Sequence, residues 1–131
     1  MQTVLLAAQR VGAGKTTLAV NLAVCAHNAM VVDLDRQQAA VDWRQRREQD
    51  WPMVFGARED EFLDLVDHAQ AQNVDWLFID TATHVGADVL GFLLQYATTT
   101  LIPSRPGLLD ICAAAAPPAS CAARARPAPW C

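Results

Sequence analysis

Lys15 is the only lysine in the 131-residue chain, and its surroundings set out the first chemistry available to it. It lies in Val4-Leu-Leu-Ala-Ala-Gln-Arg-Val-Gly-Ala-Gly-Lys-Thr-Thr17, where an apolar run passes through glycines into helix-forming sequence. Gly12 and Gly14, with Ala13 between them, allow the backbone to turn successive N–H groups inward. A helix starting at Lys15 would aim its positive end at the same point, and the ammonium adds a full charge. Anionic phosphate is the matching ligand. Thr16 would then offer a hydroxyl to Mg²⁺, with Thr17 beside it. The bland alternative is a glycine turn that binds nothing; a strand before and a helix after are the context that favours a nucleotide, with ATP and Mg²⁺ as expected cofactors.

Carboxylates come next. In Val31-Val-Asp-Leu-Asp-Arg-Gln37, Asp33 and Asp35 are two residues apart at a strand end, so their side chains share one face. Trp76-Leu-Phe-Ile-Asp80-Thr81 is a second apolar run that ends on an aspartate. The carboxyl ends of parallel strands form the ligand crevice of an open α/β sheet, which is where metal and water chemistry belongs. Taken singly, an Asp-x-Asp at a strand end is more often a turn or a helix cap. Thr100-Leu-Ile-Pro103-Ser-Arg-Pro106-Gly reads as a late strand followed by a proline-bearing loop. GTP is disfavoured, because a guanine-reading Asn-Lys-x-Asp motif needs a second lysine.

Other chemistries lack support. Cys25, Cys112, Cys121 and Cys131 include no C-x-x-C pair, which argues against a zinc cluster or a disulfide framework. His27, His68 and His84 have no metal-ligand spacing, and Ser104 and Ser120 have no neighbouring base. The net charge is −4; residues 1–112 carry 8 basic and 14 acidic groups, a balance of −6, so bulk attraction to nucleic acid is not expected. Arg44, Arg46 and Arg47 sit among Asp42, Glu48 and Asp50 and read as a solvated helix face, with Trp43 and Trp51 anchoring that helix to the sheet. No signal-peptide core or membrane span is evident, and a cytoplasmic location is the default.

The elements that must position these residues alternate. Thr3–Ala8, Met30–Leu34, Pro52–Phe55, Asp75–Ile79 and Thr99–Ile102 read as buried parallel strands. Lys15–Asn28, Ala39–Gln49, Asp60–Gln72 and Gly86–Tyr96 read as helices, with Leu18, Leu22 and Cys25 on one face of the first and Phe62, Leu65, Val66 and Ala69 on one face of the third. This is an α/β chain with a helix-covered parallel sheet. Residues 1–111 form the expected domain. Residues 112–131, rich in Ala and Pro, read as a mobile tail, or as a truncated or altered end.

Ala8–Thr17 resembles the deviant phosphate loop of the ParA/MinD family of partition and positioning ATPases, written N-Q-K-G-G-V-G-K-T-T. Gln9, Gly12, Gly14, Lys15, Thr16 and Thr17 match. Arg10 replaces the family's signature lysine, which reaches the partner subunit's nucleotide, and Val11 replaces a glycine. Asp33, Asp35 and Gln37 match the D-x-D-P-Q motif, with Arg36 at its proline. Trp76–Thr81 resembles a Walker B strand, continued here by Ala82 and Thr83 instead of two prolines. Pro103, Pro106 and Asp110 match in kind a loop near the nucleotide base.

The resemblance covers residues 2–111 and implies a three-layer α/β/α P-loop NTPase fold with altered or missing C-terminal elements. It implies that Lys15 and the loop amides hold phosphate, that Thr16 and Asp80 hold Mg²⁺ with support from Asp33, and that Asp35 positions the attacking water. The implied activity is an Mg-ATP-dependent switch in plasmid or chromosome partition, with an ATP-dependent homodimer, a ParB-like adaptor and nonspecific DNA as partners and no membrane. Arg10 and Val11 make ATP binding better supported than dimerisation or turnover. A nucleotide-binding remnant without turnover and a P-loop small-molecule kinase are the alternatives.

Overall fold

Runs rich in Val, Leu, Ile, Met and Phe form strands when both faces of a sheet are covered; this chain supplies four of them, and a short Thr-Thr-Leu strand adds a fifth at the edge. A computed structural model describes residues 1–115. The strands are β1 (Gln2–Leu6), β2 (Ala29–Asp33), β3 (Met53–Gly56), β4 (Trp76–Asp80) and β5 (Thr99–Leu101). They form one sheet in the order β3-β2-β4-β1-β5, and every pairing is parallel. The helices are α1 (Lys15–Cys25), α2 (Ala39–Gln45), α3 (Phe62–Ala71), α4 (Ala87–Tyr96) and α5 (Leu108–Ala115), with a 3-10 turn at Glu59–Glu61 ahead of α3.

Alternation along the strands sorts the core into two layers. Val4, Leu6, Ala29, Val31 and Phe78 face Ala19, Val20 and Ala23 of α1 and Ala40 of α2. Leu5, Met30, Val32, Leu77 and Ile79 face Phe62, Val66 and Ala69 of α3 and Leu90, Leu93 and Leu94 of α4. The result is an α/β domain with helices on both faces of a parallel sheet. By the same alternation Asp33 and Asp80 fall on the α1/α2 side. The connection leaving β1 through α1 runs toward β2, whereas the one leaving β4 through α4 runs toward β5 on the other face. Adjacent strands whose connections diverge in this way open a crevice at their carboxyl ends.

Most element ends shift by one to four residues from sequence expectation, and three differences bear on packing. α1 buries Ala19, Val20 and Ala23, while Leu18 and Leu22 pack at its margin and Cys25 is exposed. The helix is apolar nearly all round, so periodicity could not select the face; small residues let it approach the sheet. α2 stops at Gln45, short of Gln49, because the next apolar residue able to dock is Trp51. Arg44 pairs instead with Asp50 at 2.9 Å, and the Arg47 guanidinium lies 4.7 Å over the Trp43 ring. α5 was not expected, and its last four residues, Cys112–Ala115, enter the segment read as a tail. It forms from good helix formers after Gly107 yet buries no residue fully, leaving Leu108, Leu109 and Ile111 exposed. The remainder of the expected tail lies outside the described residues.

Among the described residues, no helix is long and apolar enough to cross a membrane.

Candidate functional site

β1 delivers the chain into the glycine loop at the carboxyl edge of the sheet. Gly12 adopts φ 71° and Gly14 φ 93°, both left-handed, and Gly14 is the residue from which α1 starts. Left-handed residues alternating with ordinary ones turn neighbouring N–H groups to a common side, which makes an anion-sized concavity. Lys15, the first residue of α1, is buried, and its Nζ donates to Thr83 Oγ1 at 3.2 Å. Ala13 and Thr16 are half-buried, while Thr17 is exposed and its carbonyl accepts from Asn21 Nδ2 at 2.7 Å.

The two strands that bring carboxylates to this edge do so at one level. Asp33 of β2 and Asp80 of β4 are register partners, and Leu6 of β1 is the partner of Asp80 on its other side. Thr81 Oγ1 donates to the Leu6 carbonyl at 2.8 Å, fastening the tip of β4 to that of β1 where the ladder ends. Both aspartates have no accessible surface. Their surroundings differ. Asp33 Oδ1 accepts from the Asp35 N–H at 3.0 Å, and Oδ2 accepts from the Ala40 N–H at 2.9 Å. The second bond caps α2, whose own preceding residue, Gln38, sits at φ 48° without a side-chain cap. Both Asp80 carboxylate oxygens are buried and, among the described residues, neither has a hydrogen-bond partner of good distance and angle.

That contrast appears in the electrostatics. Burial pushes the Asp80 carboxyl up to about 6; the Thr16 hydroxyl is the leading influence that favours its charged form, Asp33 pushes it up further, Lys15 pulls it down, and Asp35 adds a small upward push. Lys15, Thr16, Asp33, Asp35 and Asp80 therefore act on one another at a single place. Burial also raises Asp33, opposed by the backbone N–H groups of Asp35, Ala40 and Val41. Asp35 is half-buried, with Oδ1 accepting from the Gln37 N–H at 3.0 Å in a tight Asx turn. It lines an open cleft with Leu34, Gln38 and Arg58 at the tips of β2 and β3.

The fit to a divalent cation rests on Asp80. An orphaned, fully buried carboxylate with a half-buried threonine hydroxyl acting on it is compatible with a magnesium ion, which takes one or two such protein groups and fills its remaining positions with water and phosphate oxygen. Among the described residues no group of three or more His, Cys, Asp or Glu could hold a metal ion.

The remaining expected residues lie on the β5 side of the loop. Arg10 is half-exposed, and its Nη1 stands 3.4 Å from Asp110 Oδ1 of α5. Pro103 lines a shallow pocket with Ala8, Arg10 and Ala13, whereas Pro106 is exposed in the turn ahead of α5. Three contacts were not legible in the sequence: Lys15 with Thr83, Arg10 with Asp110, and Arg105 with the carbonyls of Val11 and Gly12. Each joins residues at least 68 positions apart, so no local spacing announces them. Thr83 was visible only as a departure from two prolines.

No protein-family model matches this chain, and no curated protein matches it.

Proposed function

We propose that the chain binds Mg-ATP in the glycine loop and works as a ParA-like ATPase, a nucleotide-dependent switch in DNA partition. The observation that carries the nucleotide reading is the fully buried Asp80 carboxylate, which among the described residues has no hydrogen-bond partner of good distance and angle, at the same edge as Lys15 and the left-handed loop glycines. A buried charge with no partner is costly and persists where a ligand completes it.

Lys15 would exchange its bond to Thr83 for phosphate oxygens, and the loop N–H groups would share the same charge. Thr16 and Asp80 are the residues that would hold Mg²⁺, which when bound would neutralise charge on the phosphates. Asp35, on the open side of the site, would accept a hydrogen bond from the attacking water and so aim it. Positioning and electrostatic stabilisation of this kind make up most of what phosphoryl transfer asks of a protein. The partition role, an ATP-dependent dimer, a ParB-like adaptor and nonspecific DNA as partners rest on the motif resemblance alone. The open cleft beside Asp35 favours one second reading, a small-molecule kinase whose acceptor would stand there.

Calorimetric titration with ATP, with and without Mg²⁺, followed by phosphate-release assays on the wild type and an Arg10→Lys, Val11→Gly double variant, tests these readings. The expected outcome is magnesium-dependent ATP binding, with turnover higher in the double variant and no need for an added acceptor. Absence of heat at millimolar nucleotide in both proteins would falsify the proposal. Phosphate release that requires an acceptor would transfer it to the kinase reading.

A further inference from the structure

The β5–α5 connection reaches back over the glycine loop and grips it on the carbonyl side. Arg105 Nε donates to the Gly12 carbonyl at 3.0 Å, and Nη2 donates to the Val11 carbonyl at 3.3 Å. These two carbonyls belong to consecutive peptide planes. In a trans peptide the C=O and the following N–H point in opposite directions, so fixing the carbonyls of Val11 and Gly12 also fixes the N–H groups of Gly12 and Ala13, turned away from the guanidinium. Those are two of the donors that the left-handed φ of Gly12 sets toward a common side.

The side chain suits the task. A guanidinium is planar, donates only, and presents its N–H groups as a fork that can serve two adjacent acceptors, which a lysine ammonium cannot do with the same geometry. The grip also occupies space: a Cβ added at Gly12 would meet the Arg105 guanidinium and displace it, and the φ of 71° independently favours glycine there. A second tie lies alongside, where Asp110 of α5 faces Arg10 at 3.4 Å. The same segment therefore holds three consecutive residues of the loop: Arg10, Val11 and Gly12.

We infer that Arg105 is a positioning residue of the phosphate cradle: by holding the carbonyls of Val11 and Gly12 it pre-orients the N–H groups of Gly12 and Ala13 toward an incoming phosphate. This rests on the nucleotide reading above. Arg105 is itself exposed, so its two bonds compete with water, and their loss costs affinity modestly.

The full-length chain with Arg105→Ala, Arg105→Gln and Arg105→Lys substitutions tests it by calorimetry with Mg-ATP and with inorganic tripolyphosphate, and by amide NMR of the free protein. The expected result for Arg105→Ala is affinity about three- to tenfold weaker, by the same factor for both ligands, because the cradle senses phosphate and not base. Arg105→Lys should not restore it, and the Gly12 and Ala13 amide resonances should broaden or split in the free variant. If Arg105→Ala does not fold, Arg105→Gln carries the same expectations. Wild-type binding with unchanged affinity and unchanged amide resonances in the variants would reduce Arg105 to a surface latch while leaving nucleotide binding intact. A wild type that binds neither ligand would remove the cradle and the nucleotide reading together.

Discussion

Asp33 and Asp80 occupy the same level of the sheet, face the same helices and are equally inaccessible, yet the chain treats them in opposite ways. The tip of β2 folds back on its own aspartate, so that Asp33 receives two backbone N–H groups and becomes the organising acceptor of the β2–α2 loop. The tip of β4 is held through Thr81 to Leu6, and among the described residues neither Asp80 oxygen has a hydrogen-bond partner of good distance and angle. Burial alone therefore does not identify a functional carboxylate. What separates the two is whether the protein itself supplies the compensating donors. Where it does, the group serves folding; where it does not, the fold carries an electrostatic penalty that a cation can relieve.

The comparison is broken most directly at Asp33. Asp33→Ala removes both acceptors and strands two N–H groups, one of them in the first turn of α2, and should destabilise the chain by about 3 kcal/mol in urea denaturation. A variant with wild-type stability but no magnesium response would show that Asp33 belongs to the metal site instead.

Asp80→Asn should act in the reverse sense. It should abolish the magnesium-dependent part of ATP affinity in calorimetry, while raising the stability of the ligand-free protein at pH 8 by about 2 kcal/mol, since a buried charge is exchanged for a neutral amide. Loss of stability with retained magnesium response would reverse the roles assigned to the two aspartates.

The same logic fixes a pH dependence in the wild type. The folded Asp80 takes up its proton near 6 and the unfolded one near 3.8, so the folded state binds more protons between these values. The Asp80 contribution to stability is therefore greatest at low pH, falls as pH rises from about 4 to about 6, and is constant above that. Its full size is about 3 kcal/mol, and the difference between wild-type and Asp80→Asn denaturation curves across this window measures it. A difference that does not change with pH would mean that the carboxyl is not shifted.

The smallest effects belong to two side-chain ties, Arg10 with Asp110 and Lys15 with Thr83. Asp110→Asn breaks an ion pair whose arginine is half-exposed and should change unfolding free energy by less than about 1 kcal/mol, read from the denaturation midpoint. Thr83→Val should shift ATP affinity by less than about threefold, because on the proposed nucleotide reading Lys15 would exchange that bond for phosphate oxygens. A larger loss would make Thr83 a ligand-contacting group.

Much of this arrangement is written locally. The strand–glycine–helix order around Lys15, the apolar runs ending at Asp33 and Asp80, and the Phe62, Val66 and Ala69 stripe of α3 follow from period and residue type, and each is present. The face of α1 was not legible, because nearly every side of that helix is apolar. α5 was missed because its apolar residues find no core, so its sequence carries helix formers without a burial pattern to confirm them. The grip of Arg105 on Val11 and Gly12, across 94 and 93 positions, leaves no mark on local spacing.

By itself, the order of residues determined that a parallel sheet would form, that a lysine and a threonine would open the helix after the glycine loop, and that aspartates would stand at or just beyond two strand tips. Periodicity and turn chemistry are short-range, and short-range rules suffice for that. Which aspartate would be satisfied and which left bare, and which arginine would hold the glycine loop, was decided only when β2, β4 and β1 came to lie side by side and the β5–α5 connection closed over them. Hydrogen bonding and desolvation depend on neighbours in space, and those neighbours are set by topology.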